Sequence, residues 1–197
     1  MGRGAPRTRY DRGVRSLALV ALVVVACSEP AAPAPSASPA VPAAGPSPVG
    51  LIAPAALAAT LPDDLGEYAA RAAPEHGHDR TGVVVTTWAS RAYRRGDAIA
   101  HVRMVDASRA PDLVMGFAAA QQIELPAGPD GFELLPTGVG GRPALASWDP
   151  GAASSEAQVL VQGRVIVAVA IQGARAPEDA IELLDRAPLR DLEALLR

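Results

Sequence analysis

Ten consecutive apolar residues, Leu17 to Ala26, run without interruption into Cys27, the only cysteine of the chain. A helix of that length rises about 15 Å, half of the ~30 Å hydrocarbon core of a bilayer, so the run is too short to span one. Before it lie five arginines (Arg3, Arg7, Arg9, Arg12 and Arg15) and a single acid, Asp11. After it comes Ser28 to Gly50, where seven of 23 residues are proline and nearly all the others are Ala, Ser, Gly or Val. Proline lacks the N–H and fixes φ, so neither a helix nor a β-ladder propagates through such a stretch. Residues 27–50 therefore read as a disordered, semi-rigid spacer that reaches roughly 70 Å at ~3.1 Å per residue. Only residues 51–197 are left to build a core, enough for one domain.

A basic segment, an apolar run and a small residue form the order of a bacterial export signal. Val24-Val25-Ala26-Cys27 resembles a bacterial lipobox. The resemblance implies that residues 1–26 are a lipoprotein signal peptide removed after Ala26. It also implies that the Cys27 sulfur takes a diacylglyceryl group and that the new amine is acylated by a palmitate-type chain. Two or more chains hold a domain stably at a membrane, where one holds it marginally. No Arg-Arg pair precedes the apolar run, which favours export of the unfolded chain by the general secretory route. Location in the cell envelope follows. In a Gram-negative host, Ser28 in place of Asp implies the periplasmic face of the outer membrane; otherwise the expected place is the outer face of the cell membrane.

The formal charge is −3, and every basic side chain is arginine. Five of the 18 basic residues, but only one of the 21 acidic ones, precede Cys27, so the remainder is acidic. Binding to phosphate backbones needs a concentrated positive face, and nucleic acid is not an expected partner. Aromatic residues are 4% of the chain, so a core must come from Val, Leu, Ile and Ala. A lone cysteine excludes an intrachain disulfide.

Along the domain, Leu57, Leu61, Leu65 and Tyr68 have helix-like spacing interrupted by Pro62, which predicts short helical turns at a sheet edge. Residues 83–93 (VVVTTWASRAY) and 99–106 (IAHVRMVD) predict a hairpin about Arg95-Gly96-Asp97. Ala100, Val102 and Met104 fall on one face of it, His101 and Arg103 on the other. Pro111 opens a helix, since its missing N–H would be unpaired there in any case. Residues 131–137 and 144–148 flank Gly138-Val139-Gly140-Gly141 as a second hairpin. Residues 156–161 and 164–171 form a third about Gln162-Gly163, and the unbroken apolar run RVIVAVAI suggests burial on both faces. Pro177 and Pro188 each start a C-terminal helix. The expected class is α+β, an antiparallel sheet of about six strands covered by helices.

From about Leu61 onward the domain resembles the Mog1/PsbP-like α+β group. The resemblance lies in Tyr93-Arg94-Arg95-Gly96-Asp97 leading to Val105-Asp106, and in Gln162-Gly163-Arg164 leading through a β run to the final helix. It implies an architecture and an accessory or binding role, with no catalytic motif to carry over.

Chemistry is thinly signalled. Glu75, His76, His78 and Asp79 are candidate metal ligands, two imidazoles and two carboxylates about Gly77. Neither a His-x-x-x-His nor a Cys-x-x-Cys pattern accompanies them, and a polar loop before the first strand is the plainer reading. Trp88, Trp148 and Phe117 are candidates to line an apolar ligand pocket, or are simply core. Arg91, Arg94 and Arg95 make a short basic spot, suited to a solvated face or to an acidic partner. Gly138 to Arg142 is followed by Pro143 and a strand, not by the helix that a phosphate loop requires. No cofactor and no catalytic residue is indicated. The leading expectation is a membrane-anchored envelope lipoprotein with a non-enzymatic binding domain for an envelope protein or apolar ligand. The alternative is a metal-dependent hydrolase built on the His76/His78 loop.

Overall fold

The computed structural model describes residues 50–123 and 133–197. Cys27, the signal segment and residues 28–49 lie outside the described residues, as do Gly131 and Phe132 at the start of the second predicted hairpin. Among the described residues the domain is α+β, a large antiparallel sheet with four helices. The elements run α1 (Pro54–Ala59), β1 (Asp64–Leu65), β2 (Tyr68–Ala70), β3 (Glu75–Thr81), β4 (Val84–Arg95), β5 (Ala98–Asp106) and α2 (Pro111–Ala120). There follow β6 (Glu133–Val139), β7 (Arg142–Asp149), β8 (Ser154–Val161), β9 (Val165–Gln172), α3 (Glu178–Asp185) and α4 (Leu189–Leu195).

The strand order is β1-β2-β4-β5-β9-β8-β7-β6, with β3 also paired to β4. After β5 the chain passes through α2 to the far edge and returns strand by strand until β9 lies beside β5. That central pair runs in register from Ile99↔Gln172 to Asp106↔Val165. The turns suit this meander. Gly140 and Gly141 both take positive φ (54° and 76°), as do Gln162 and Gly163 (49° and 64°). Two such residues in succession match the right-handed twist of the strands they join.

One face of the sheet carries most of the core. Val102 and Met104 of β5, Val165, Val167 and Val169 of β9, and Ala157, Val159 and Val161 of β8 alternate onto it. α1 covers this face with Leu57, α3 with Leu183 and Leu184, and α4 with Leu189 and Leu192. α2 packs on the opposite face, where Phe117 and Ala120 meet Leu145 and Leu160. The helices thus divide between the two faces, and each buries one apolar stripe against the sheet.

Three expectations are corrected. The sheet has nine strands instead of about six. The additional strands, β1 to β3, lie in the stretch read as helical turns and polar loop; β3 is an edge strand of charged and polar residues (EHGHDRT) with no apolar alternation. Its backbone pairs with β4 from Glu75↔Ser90 to Thr81↔Val84, and its charge suits an edge that must not recruit another strand. The run RVIVAVAI is fully buried on one face only. Val165, Val167, Val169 and Ile171 are buried, whereas Ile166, Ala168 and Ala170 are half-buried.

Candidate functional site

The structure separates the sequence candidates. His76 and His78 pair with Ala89 and Thr87, so both project from the face of the sheet that α1 covers. Thr87 Oγ1 and His78 Nδ1 are in hydrogen-bond contact at 3.2 Å. Glu75 and Asp79, one residue out of phase, project to the other face. There Asp79 accepts from Arg103 at 2.8 Å. The four candidates lie on a regular strand rather than a loop. Among the described residues no three of the side chains that commonly bind metals come together.

The aromatic candidates do not share a pocket. Trp88 is in line across the sheet with Val105, Ile166 and Leu160, on the same face as Phe117. Trp148 is in line with Ser155 and Ile171 and packs against the main core on the other face. Phe117 walls a small cleft of about 330 Å³ with Gln121, Pro143 and Leu160. The indole of Trp88 lies against Gly77, where an added Cβ would meet Cζ2 at 3.3 Å. The guanidinium of Arg103 stands 5.2 Å above the centre of that indole ring.

The basic spot also divides. Arg91 is a structural clamp whose side chain is 9% exposed. It donates to the carbonyls of Leu61, Pro62 and Ala72, and to Asp63 at 2.6 Å. The Tyr93 hydroxyl donates to the Pro62 carbonyl as well, and burial pushes that phenol up to about 12. Arg94 is exposed and bonds the carbonyl of Gly96 at 2.6 Å. Arg95 lies over the ring of Tyr68, 4.7 Å from its centre.

A second clamp closes the end of the sheet at which β5 finishes. Asp106, the last residue of β5, is wholly excluded from solvent. Its carboxylate accepts two bonds from Arg164, at 3.1 Å and 2.8 Å. It also accepts from the backbone N–H groups of Ile52 at 2.8 Å and Ser108 at 3.0 Å. Arg164 Nη2 donates further to the carbonyl of Gly50 at 2.7 Å. Burial pushes the Asp106 carboxyl up, but the bonds from Arg164, Ile52 and Ser108 outweigh it and hold the group below its ordinary range. Gly50, the first described residue, is thus fixed, and a domain boundary drawn at Leu51 would cut through this clamp by removing it. Nothing local in the sequence pairs Asp106 with Arg164, 58 residues away.

Glu156 was not signalled by the sequence. It lies on β8 between Ser147 and Ala170, on the face opposite the main core. Among the described residues no hydrogen bond or ion pair reaches its carboxylate, and burial pushes it up from 4.5 to about 7. A carboxyl whose folded pKa is raised contributes stability that is present below its unfolded pKa and is lost as pH rises through the folded value. The affected window is about pH 4.5 to 7. Glu156→Gln should therefore leave stability at pH 4 little changed and raise it at pH 8. The expected gain is roughly 2 kcal/mol, below the ~1.4 kcal/mol per pKa unit of a fully desolvated group. Urea unfolding of both proteins at the two pH values measures it, and a variant less stable than the parent at pH 8 would refute it.

No protein-family model matches the chain, and neither does any curated protein or solved structure.

Proposed function

We propose that the chain is a lipoprotein of a bacterial cell envelope, anchored through lipid on Cys27, whose Mog1/PsbP-like α+β domain binds a ligand or partner without catalysing a reaction. The observation that carries the reading is Leu17 to Cys27, an apolar run too short to span a bilayer and ending in a small residue and the only cysteine. The domain's form is consistent with tethering. Arg164 and Asp106 hold Gly50 and Ile52 at one end of the central strand pair, so a linker entering there leaves the other end facing away from its anchor. Among the described residues no helix is long and apolar enough to cross a membrane.

Replacement of the lipidated thiol is the direct test. Cys27→Ala should lose incorporation of labelled palmitate and should either leave the membrane fraction or accumulate as an unprocessed precursor. A variant processed and fractionated like the parent would refute anchoring at Cys27. In a Gram-negative host the parent should fractionate with the outer membrane, and recovery from the inner membrane alone would count against the role given to Ser28. Native mass spectrometry of the membrane-purified protein tests the binding part: a retained ligand or partner is the expected result.

A further inference from the structure

We propose that the cleft at the end of the sheet farthest from Gly50, walled by Arg95 and Arg175, binds a small ligand through an oxyanion group, a carboxylate or a phosphate. This deepens the binding role proposed above by giving it a site and a ligand chemistry. β5 separates the two ends of the domain. The linker clamp closes on Asp106 at its last residue, and the cleft opens at Ala98, its first. Nine residues of extended chain place these ends about 27 Å apart.

The cleft encloses about 560 Å³, and Glu67, Arg95, Asp97, Gly173 and Arg175 are among its walls. That volume lies within the usual range of small-molecule sites, ~300–1,000 Å³. Small residues, Ala98 and Gly173, form part of its lining. Gly173 has φ +76°, and a Cβ on it would come within 3.4 Å of Ala98 Cα.

Arg95 is paired at a long distance with Glu67, and Arg175 has no side-chain partner among the described residues. The guanidinium carbon of Arg95 stands over the Tyr68 ring at 4.7 Å, a cation–π contact that helps to hold it at the cleft. The nearest carboxylate oxygen, on Glu67, is 3.7 Å away, longer than a hydrogen bond. Arg175 is held by its backbone, whose N–H donates to Asp179 Oδ2 at 2.7 Å. Among the described residues its guanidinium makes no hydrogen bond or ion pair. Tyr68 supplies an independent indication. It is 3% exposed, and its hydroxyl is buried with no partner. Its ring lies under the guanidinium of Arg95, a wall of the cleft. Burial raises the pKa of the hydroxyl, so the group is a neutral donor.

Two guanidinium forks, those of Arg95 and Arg175, are the side-chain donors that line the cleft, beside the carboxylates of Glu67 and Asp97. The complementary group is a planar or tetrahedral oxyanion, which accepts two parallel bonds from an arginine. Glu67 and Asp97 do not cancel this. Their side chains are 76% and fully exposed, so water screens them, whereas Arg95 is 34% exposed.

The test titrates the full chain, purified from membranes in detergent at low salt, with inorganic phosphate and separately with succinate, by calorimetry. At least one should bind. Arg175→Gln should weaken that ligand about tenfold or more, the loss of one charge-assisted contact. Its thermal midpoint should stay that of the parent, because the side chain has no partner to lose. Arg95→Lys, which keeps the charge and removes the fork, should weaken binding as well. Binding of phosphate alone assigns a phosphorylated ligand, and binding of succinate alone a carboxylate. Absence of binding by both, or equal binding by parent and Arg175→Gln, overturns the site. A co-purifying partner retained by Arg175→Gln would overturn it while leaving the proposed binding role intact, and membrane attachment through Cys27 is read separately.

Discussion

Val167→Asp is expected to abolish cooperative unfolding. Val167 is at the middle of β9, fully buried, and its cross-strand neighbours Met104 and Val159 are fully buried too. A carboxylate there would meet only apolar side chains, and the effective penalty for an unpaired buried ion is several kcal/mol. The lost packing of an isopropyl group adds to it. Together these approach the whole stability of an ordinary domain, about 5–15 kcal/mol. Ala168→Asp is the control, because the next residue is half-buried on the other face. It should retain a sigmoidal transition. Urea unfolding followed by circular dichroism and tryptophan fluorescence distinguishes the two, and a native-like, cooperative Val167→Asp protein would show that the core face has been misassigned.

Removing Asp106 should be the next most damaging change. Asp106→Ala leaves Arg164, whose side chain is 17% exposed, without its counter-ion. The N–H groups of Ile52 and Ser108 lose their acceptor as well. Breaking one side of a buried pair costs about 3–5 kcal/mol, a fall of roughly 10 °C in Tm for a domain of this size. The effect should depend on pH with a definite sign. The folded-state pKa of Asp106 is depressed, so its contribution is present above the unfolded value near 3.8 and is lost as pH falls through the folded one. Parent and variant should converge in Tm toward low pH and separate above about pH 5. Because the two residues act together, Asp106→Ala with Arg164→Ala should be destabilised less than the sum of the single changes. Equal Tm for parent and Asp106→Ala at pH 7 would mean that the clamp contributes nothing. Glu156 acts in the opposite sense, so Glu156→Gln and Asp106→Ala should bend the same pH profile in opposite directions.

Much of the fold was legible because it depends on local patterns. Strict alternation marks β5, with Ala100, Val102 and Met104 inward and His101 and Arg103 outward. Pro111 opens α2, and Pro177 and Pro188 stand just before α3 and α4, because proline suits the start of a helix and interrupts its interior. Glycine doublets and Gln162-Gly163 announce their hairpins, since few residues accept positive φ. The readings that failed were those in which the pattern was local but the cause was not. Residues 75–81 carry no strand signal of their own; the unfilled edge of β4 makes them one. Glu75, His76, His78 and Asp79 looked like one cluster because they are adjacent, yet a period of two sends them to opposite faces. Trp88 and Trp148 looked equivalent for want of strand phase.

The sequence alone determined that the class of the domain beyond the proline-rich stretch is α+β, and which hairpins and helices bound it. These follow from steric limits on proline and glycine and from the periodicity of apolar side chains, all of which act within a few residues. Only the tertiary structure decided that Asp106 meets Arg164, that β9 returns beside β5, and that Tyr68, Arg95 and Arg175 gather at one end of the sheet. Such meetings are set by strand order and register across a hundred residues, through backbone pairing and shared burial that no short window of sequence contains.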